Sequence, residues 1–267
     1  PPPPHFFFQA EDGIRAPLWP RGLGDVYKRQ NKMRLKELSL EKYPVIFRGR
    51  RRGRKLRPSM ASLLENNLLD LKIDSSDKTY IKNPFDLFPK TTTSIWLEIG
   101  FGGGEHISWQ AENNPTVGFI GCEPFLNGIA SLLRDVQNKK LTNIRILADD
   151  ARPFLARLPD NSIDRLFILF PDPWRKKRHE NRRIIQKNIL DQFYRLLKIG
   201  GEFRVATDDP LYLRWILLHL KDHPGFAWLA RRPNDWRLRP TDWPQTRYEK
   251  KALTEGRTPI FLRYQKI

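Results

Sequence analysis

Cysteine is almost missing from this chain: Cys122 is the one example in 267 residues. That excludes a disulfide framework and a cysteine-built zinc site, and it suits a reducing, cytoplasmic setting. Long apolar runs are missing too. None reaches the roughly 18 residues that a bilayer-spanning helix needs, so no membrane association is expected. Histidine is sparse, with five scattered residues. Only His219 and His223 have the i,i+4 spacing of a helical metal site, but Pro224 follows at once and no Glu lies between them. No metal is therefore expected. Acids are outnumbered, 30 Asp and Glu against 48 Lys and Arg, which leaves a formal charge of +18. So basic a balance points to a polyanionic partner, although many proteins owe only their solubility to such charge. At 39% hydrophobic and 29% charged residues the composition is globular, with room for one good-sized core plus extensions.

What is present divides into three stretches. Residues 1–32 open on four consecutive prolines and a Phe triplet, then a Gly/Pro-broken run ending in Lys28, Arg29 and Gln30. The stretch from Phe6 to Arg15, together with Gly24 to Gln30, resembles translated sequencing-adapter sequence. A non-native or disordered tail is expected there, with a biological start near Met33. Residues 33–93 form a basic N-terminal extension and lead-in. Arg48, Arg50, Arg51, Arg52, Arg54, Lys55 and Arg57 put seven cations into ten residues. Such a run cannot pack against itself and is expected to stay flexible until it meets phosphate. The plainer alternative is a solvated arm with no partner. A short helical pattern follows at Leu63, Leu64, Leu68 and Leu69.

From residue 94 to 267 apolar and amphipathic runs alternate. Strands are expected at Ile95 to Ile99, Val117 to Cys122, Ile144 to Leu147, Ile163 to Phe170 and Glu202 to Thr207. Helices are expected at Glu105 to Glu112, Phe125 to Asn138, Ala151 to Leu158, Arg183 to Lys198 and Leu211 to Lys221. Gly200-Gly201 reads as the end of the fourth helix. Phe226 to Ala230 and Ile260 to Gln265 read as two last strands joined by a long Trp- and Pro-rich loop. Repeated strand–helix units imply an α/β fold, a parallel sheet with helices on both faces and ligands at the strands' C-terminal ends.

The first strand ends in Glu98-Ile99-Gly100-Phe101-Gly102-Gly103-Gly104-Glu105. Gly100 and Gly102 let the backbone turn tightly and approach a ligand. A dinucleotide fingerprint needs Gly or Ala where Glu105 stands, and a carboxylate facing pyrophosphate is repulsive. No Gly-Lys-Ser/Thr follows, so a nucleotide-triphosphate loop is also excluded. The pattern suits a ligand with an amino-acid end, whose ammonium Glu98 can reach. Glu123, at the end of the second strand, can accept both ribose hydroxyls, with charge-assisted bonds contributing about 1.5–3 kcal/mol apiece. Asp149-Asp150-Ala151, after the third, can take an adenine amino group. Each acid alone can be a helix N-cap; together with the glycine loop they describe a site for S-adenosylmethionine.

The fourth strand runs into Leu169-Phe170-Pro171-Asp172-Pro173-Trp174, followed by Arg175, Lys176, Lys177 and Arg178. The two prolines fix φ and push the residues before them out of helical geometry, holding Asp172 in a stiff, extended loop. A rigid acid, a ring and a basic cluster suit a base in a nucleic acid. An ordinary turn beside a core Trp is the other reading of the same residues.

With these segments in view, the chain from about Trp96 onward resembles the bacterial tRNA (guanine-N7-)-methyltransferase family. The resemblance rests on Leu97 to Gly104, on Phe170 to Lys176 with Arg178-His179 and Arg182-Arg183, on Ala206-Thr207-Asp208, and on Thr246-Arg247-Tyr248-Glu249. It implies a class I, Rossmann-like methyltransferase with a mostly parallel seven-stranded sheet over residues 94–267. It also implies S-adenosylmethionine as cofactor and the variable-loop guanosine conventionally numbered 46 as target. By resemblance, Glu98, Glu123, Asp150 and Asp172 contact the cofactor, and Asp172 is also the catalytic residue. Lys176, Asp208 and Thr246 to Glu249 bind substrate, and Arg178 to Arg183 (Arg182 and Arg183 included) meet the RNA. Arg175 departs from the family, many of whose members carry His there.

Guanine N7 bears an in-plane lone pair, so methyl transfer to it needs no general base. What an enzyme supplies is in-line placement, about 7–11 kcal/mol, and stabilisation of the cationic purine, for which a carboxylate such as Asp172 is suited. Two rival readings stand beside this one. Asp172-Pro173-Trp174 is similar to the Asp-Pro-Pro-Tyr loop of exocyclic-amine methyltransferases, with Trp174 where the second Pro would be. A non-catalytic RNA-binding protein on the same scaffold is the other. Sequence leaves monomer or homodimer open.

Overall fold

The computed structural model describes residues 49–267; the expected tail at 1–32, the start near Met33 and Arg48 of the basic arm lie outside them. In chain order the elements are α1 (Pro58–Asn66), α2 (Leu68–Leu71), a 3-10 turn (Pro84–Leu87), β1 (Ser94–Ile99), α3 (Glu105–Asn113), β2 (Val117–Cys122), α4 (Leu126–Lys139), β3 (Ile144–Leu147) and α5 (Ala151–Leu155). Then come β4 (Ile163–Leu169), a 3-10 turn (Lys177–Arg182), α6 (Lys187–Leu196), β5 (Leu197–Thr207), α7 (Pro210–Lys221), β6 (Phe226–Trp228), α8 (Asn234–Arg237), α9 (Arg247–Thr254) and β7 (Ile260–Lys266).

The strands form one sheet in the order β3-β2-β1-β4-β5-β7-β6. The first five are parallel; β7 runs antiparallel to β5 and to β6. Strand order reverses between β1 and β4, the switch point where α/β sheets open a crevice at their C-terminal edge. The sheet is covered on both sides, which is why β2 reads as an unbroken apolar run and β1 is broken only by Glu98 after Ser94: all but Ser94 of β1 and all of β2 are buried. Alternation along β1 sends Ile95, Leu97 and Ile99 into one cluster with α5, α6 and α7, and Trp96 into a second with α3 and α4. Glu98 shares the Trp96 face. In α4 the inward stripe Ile129, Leu132, Leu133 and Val136 keeps helical spacing. The helix stops at Lys140, whose φ of 54° makes a left-handed cap. The lead-in packs onto the sheet through Ile73 and Phe88, and Ile73 donates its N–H to the Ile146 carbonyl at 2.8 Å.

Three local expectations are corrected. The helix expected over Arg183 to Lys198 spans Lys187–Leu196, because Leu197 is already buried and paired with Ile163 of β4. Gly200 and Gly201 are not its cap; they lie in β5, where the register against β4 shifts between Ile163 and Arg165, and Gly200 has φ 78°. The Trp- and Pro-rich loop contains α8 and α9. Among the described residues no helix is long and apolar enough to cross a membrane. His219 stacks on Trp215, while His223 lies beyond the end of α7 and accepts from the Gly225 N–H.

Candidate active site

The glycine loop leaves β1 with Gly100, Gly102 and Gly104 all at positive φ (76°, 55° and 84°). Gly102 needs its missing side chain twice over: an L residue is strained at that φ, and a Cβ there would meet the Tyr248 ring at 2.8 Å. Glu123 brackets the loop to the end of β2. Its Oε2 accepts the Gly102 N–H at 2.8 Å and its Oε1 the Phe125 N–H at 2.9 Å. Burial pushes the Glu123 carboxyl up to about 7, and Asp172 and Glu98 add to the rise against those two backbone bonds. Glu98 is also buried, and its Oε2 lies 2.7 Å from Nδ1 of buried His106. Glu98 and His106 line a small crevice with Gly100, Phe170, Thr246 and Tyr248.

Asp172 enters the same cleft from the end of β4, and its side chain is exposed. Its loop is neither helix nor strand, and its flanks have positive φ, 51° at Phe170 and 41° at Trp174. For bulky residues that is a strained backbone, held only because surroundings over-determine it. Arg183 supplies much of that restraint. It is 5% exposed, its Nε donates to the Pro173 carbonyl at 2.9 Å and its Nη2 to the Trp174 carbonyl at 3.2 Å. Its guanidinium lies over the Trp215 ring. Arg183, expected to meet RNA, is thus buried, with two of its N–H groups on the Asp172 loop and Nη1 3.6 Å from Glu180. Arg182 instead lies over the Trp174 ring at 4.9 Å, and Lys176 and Arg178 are exposed.

The segment from Thr246 completes the cleft. Thr246 caps α9, its Oγ1 accepting the Glu249 N–H at 3.3 Å. Arg247 pairs with Glu105 and lies where a Gly103 Cβ would be. Burial, then Glu123, Glu105 and Asp172, raise the Tyr248 hydroxyl against Arg247. Glu249 is buried and paired with Arg239 at 3.0 Å; burial raises its carboxyl. Asp208 is half-buried and bonded to Arg257 at 2.6 Å. The structure thus brings Glu98, Glu123, Asp172 and Tyr248 together and gives Asp208 and Glu249 arginine partners.

At the third strand end, Asp150 does cap α5, accepting from the Arg152 N–H at 2.9 Å, and it pairs with the Arg152 guanidinium at 2.6 Å. Ala151 is buried behind it. Asp149 instead pairs with Arg51 at 2.6 Å. The described part of the basic arm is docked, not loose. The Arg51 carbonyl accepts the Leu126 N–H at 2.9 Å, and Asn127 bonds both the Gly53 N–H and the Arg54 carbonyl at 2.8 Å.

Sequence reasoning missed the pairs Arg51–Asp149, Arg175–Asp209 and Arg257–Asp208, and it missed His106. The three arginine pairs have no local signal, since each joins residues at least 34 apart. The Thr-x-x-Glu spacing at Thr246 and Glu249 was a legible helix start.

Residues 92–262 match a protein family described as a putative methyltransferase. The tRNA (guanine-N(7)-)-methyltransferase of Rhodospirillum rubrum is 48% identical over 222 residues, covering 82% of this chain and 87% of that protein. The one of Paramagnetospirillum magneticum is 48% identical over 221 residues, covering 82% and 92%. A solved 16S rRNA methyltransferase, KamB, aligns at a TM-score of 0.48 and 14% identity over 70% of this chain and 95% of that one.

Proposed function

Because the chain belongs to the tRNA (guanine-N(7)-)-methyltransferase family and is an enzyme of that activity, we propose that it methylates N7 of the variable-loop guanosine 46 in tRNA. The donor is S-adenosylmethionine and the second product S-adenosylhomocysteine. The observation that carries this reading is the meeting of Glu98, Glu123 and Asp172 with a positive-φ glycine loop at one sheet edge. A cleft ringed by three carboxylates suits a cationic ligand, and a sulfonium with an α-ammonium group fits that donor set. When bound, the cofactor supplies an electrophilic methyl group.

The chain's own residues divide the remaining work. Glu98 takes the ammonium end and Glu123 the ribose hydroxyls; Gly100 and Gly102 allow close approach. Asp150 and Ala151 border the adenine. Asp172 borders the cofactor but works chiefly on the base, accepting from the guanine N1–H and N2–H2 edge and stabilising the positive charge that methylation leaves on the purine. No group need remove a proton before transfer. Lys176, Arg178 and Arg182 bind phosphate and carry no base specificity. Arg183 acts through the Asp172 loop it clamps. Thr246, Arg247 and Tyr248 line the substrate side beside the glycine loop, while Asp208 and Glu249 reach the base only by exchanging their arginine partners.

The test is methylation of bulk tRNA followed by digestion and nucleoside identification. The expected product is 7-methylguanosine at position 46. An N2- or N6-methylated nucleoside would overturn the N7 assignment, and 7-methylguanosine elsewhere would overturn the position.

A further inference from the structure

Glu98 is not simply an acid at a strand end; it is the last member of a buried hydrogen-bonded chain. Asn114 Nδ2 donates to Gln110 Oε1 at 3.2 Å, which fixes the oxygen side of the Gln110 amide. Gln110 Nε2 lies 2.6 Å from the Asp242 carbonyl and 3.2 Å from His106 Nε2. A carbonyl can only accept, so one amide hydrogen goes to Asp242 and the other points at His106 Nε2. That nitrogen must then be the acceptor, which leaves the imidazole proton on Nδ1, 2.7 Å from Glu98 Oε2. Every donor and acceptor in the chain is thereby assigned a direction, running from α3 into the cofactor crevice. Gln110, His106 and Glu98 are each at most 4% exposed, so water does not compete for these bonds.

The far end of the chain is anchored in the segment that leads to Thr246. Asp242 is held by Arg204, Nη1 to Oδ2 at 2.7 Å. Trp243 packs its ring edge-on against His106, with centroids 5.9 Å apart. One buried path therefore joins the segment ahead of Thr246 to the acid on the cofactor side.

We propose that His106 and Gln110 are positioning residues that hold the Glu98 carboxylate aimed at the donor's ammonium group and tie it to the 242–246 segment. This rests on the reading of Glu98 as the ammonium acceptor. With Nδ1 donating to Oε2, one carboxylate oxygen is fixed and the other is left for the ligand. Without that donor, a buried carboxylate loses its orientation and one of its hydrogen-bond partners.

The two amide substitutions at residue 106 separate positioning from packing. In Asn, Nδ2 stands close to where His Nδ1 stood; in Gln, the amide nitrogen reaches only toward the former Nε2. Cofactor dissociation constants measured by calorimetry on the full chain, alongside thermal midpoints, give the readout. His106→Asn is expected to bind S-adenosylmethionine within about three-fold of wild type, and His106→Gln about ten-fold or more weaker, at similar thermal midpoints. In a Glu98→Gln background the two should become equal. Equal binding by both variants in the wild-type background, or the same difference persisting without the Glu98 carboxylate, would overturn the proposal. Wild-type affinity in Glu98→Gln alone would instead overturn the ammonium reading beneath it.

Discussion

Two acidic regions meet at the sheet edge, and they are built in opposite ways. On the β1–β2 side, Glu98 and Glu123 are buried, and their oxygens are held by His106 and by the Gly102 and Phe125 backbone N–H groups. On the β4 side, Asp172 is exposed, carried on a loop with positive φ at Phe170 and Trp174 and clamped through carbonyls by Arg183. Buried acids with fixed partners can recognise a small ligand of fixed shape. An exposed acid on a rigid loop can meet a large substrate that arrives from solvent, and its rigidity keeps it oriented until then. The same residue chemistry thus serves two tasks, set by what surrounds each carboxylate.

The comparison breaks first at Asp172. Asp172→Ala should lower single-turnover methylation by at least about 100-fold, with tRNA binding by filter retention nearly unchanged; turnover close to wild type would remove Asp172 from the chemistry. The glycine side breaks at Gly128, in α4. A Cβ there would lie 2.0 Å from the Gly102 carbonyl oxygen. Gly128→Ala should therefore displace the loop, cost about 1–3 kcal/mol of stability and weaken cofactor binding by ten-fold or more in calorimetry.

The pH response sharpens the contrast. Glu123 has its carboxyl raised from 4.5 to about 7, so between those values the folded state holds the proton more tightly than the unfolded chain. Stability from this group is greatest below the lower value and falls as pH rises toward 7. The full swing is about 3 kcal/mol. Chemical denaturation from pH 5 to 8 should reveal that slope in the wild type and a flatter profile in Glu123→Gln. Arg183→Ala should cost about 1–3 kcal/mol through two carbonyls left unsatisfied, visible as a lowered thermal midpoint. Arg178→Ala, by contrast, should leave the midpoint alone and reduce the salt slope of tRNA binding by about one.

The buried side was the more legible in sequence. Apolar runs mark β1 to β5, and the glycine loop with Glu98 and Glu123 follows from residue spacing alone. The Pro-bracketed acid was legible too, but not what holds it. Arg183 sits in a run of cations that reads as RNA-facing, and its burial depends on Trp215 and the Pro173 and Trp174 carbonyls, which only the folded chain brings together. Gly200-Gly201 misled for a related reason. Glycine permits both a helix cap and a bulge, and the pairing of Leu197 with Ile163 selects the bulge. The basic arm was read as loose because its charges repel; its docking uses backbone groups and Asn127, to which charge counting is blind.

The division of labour between the two acidic regions is tested most directly by cofactor affinity in the absence of tRNA. Calorimetric dissociation constants for S-adenosylmethionine, measured side by side on Glu123→Ala and Asp172→Asn, give the answer. The expected result is a loss of about ten-fold or more for Glu123→Ala and at most a few-fold for Asp172→Asn. Equal losses in the two variants, or a larger one at Asp172, would contradict the assignment of the buried acids to the cofactor and the exposed acid to the base.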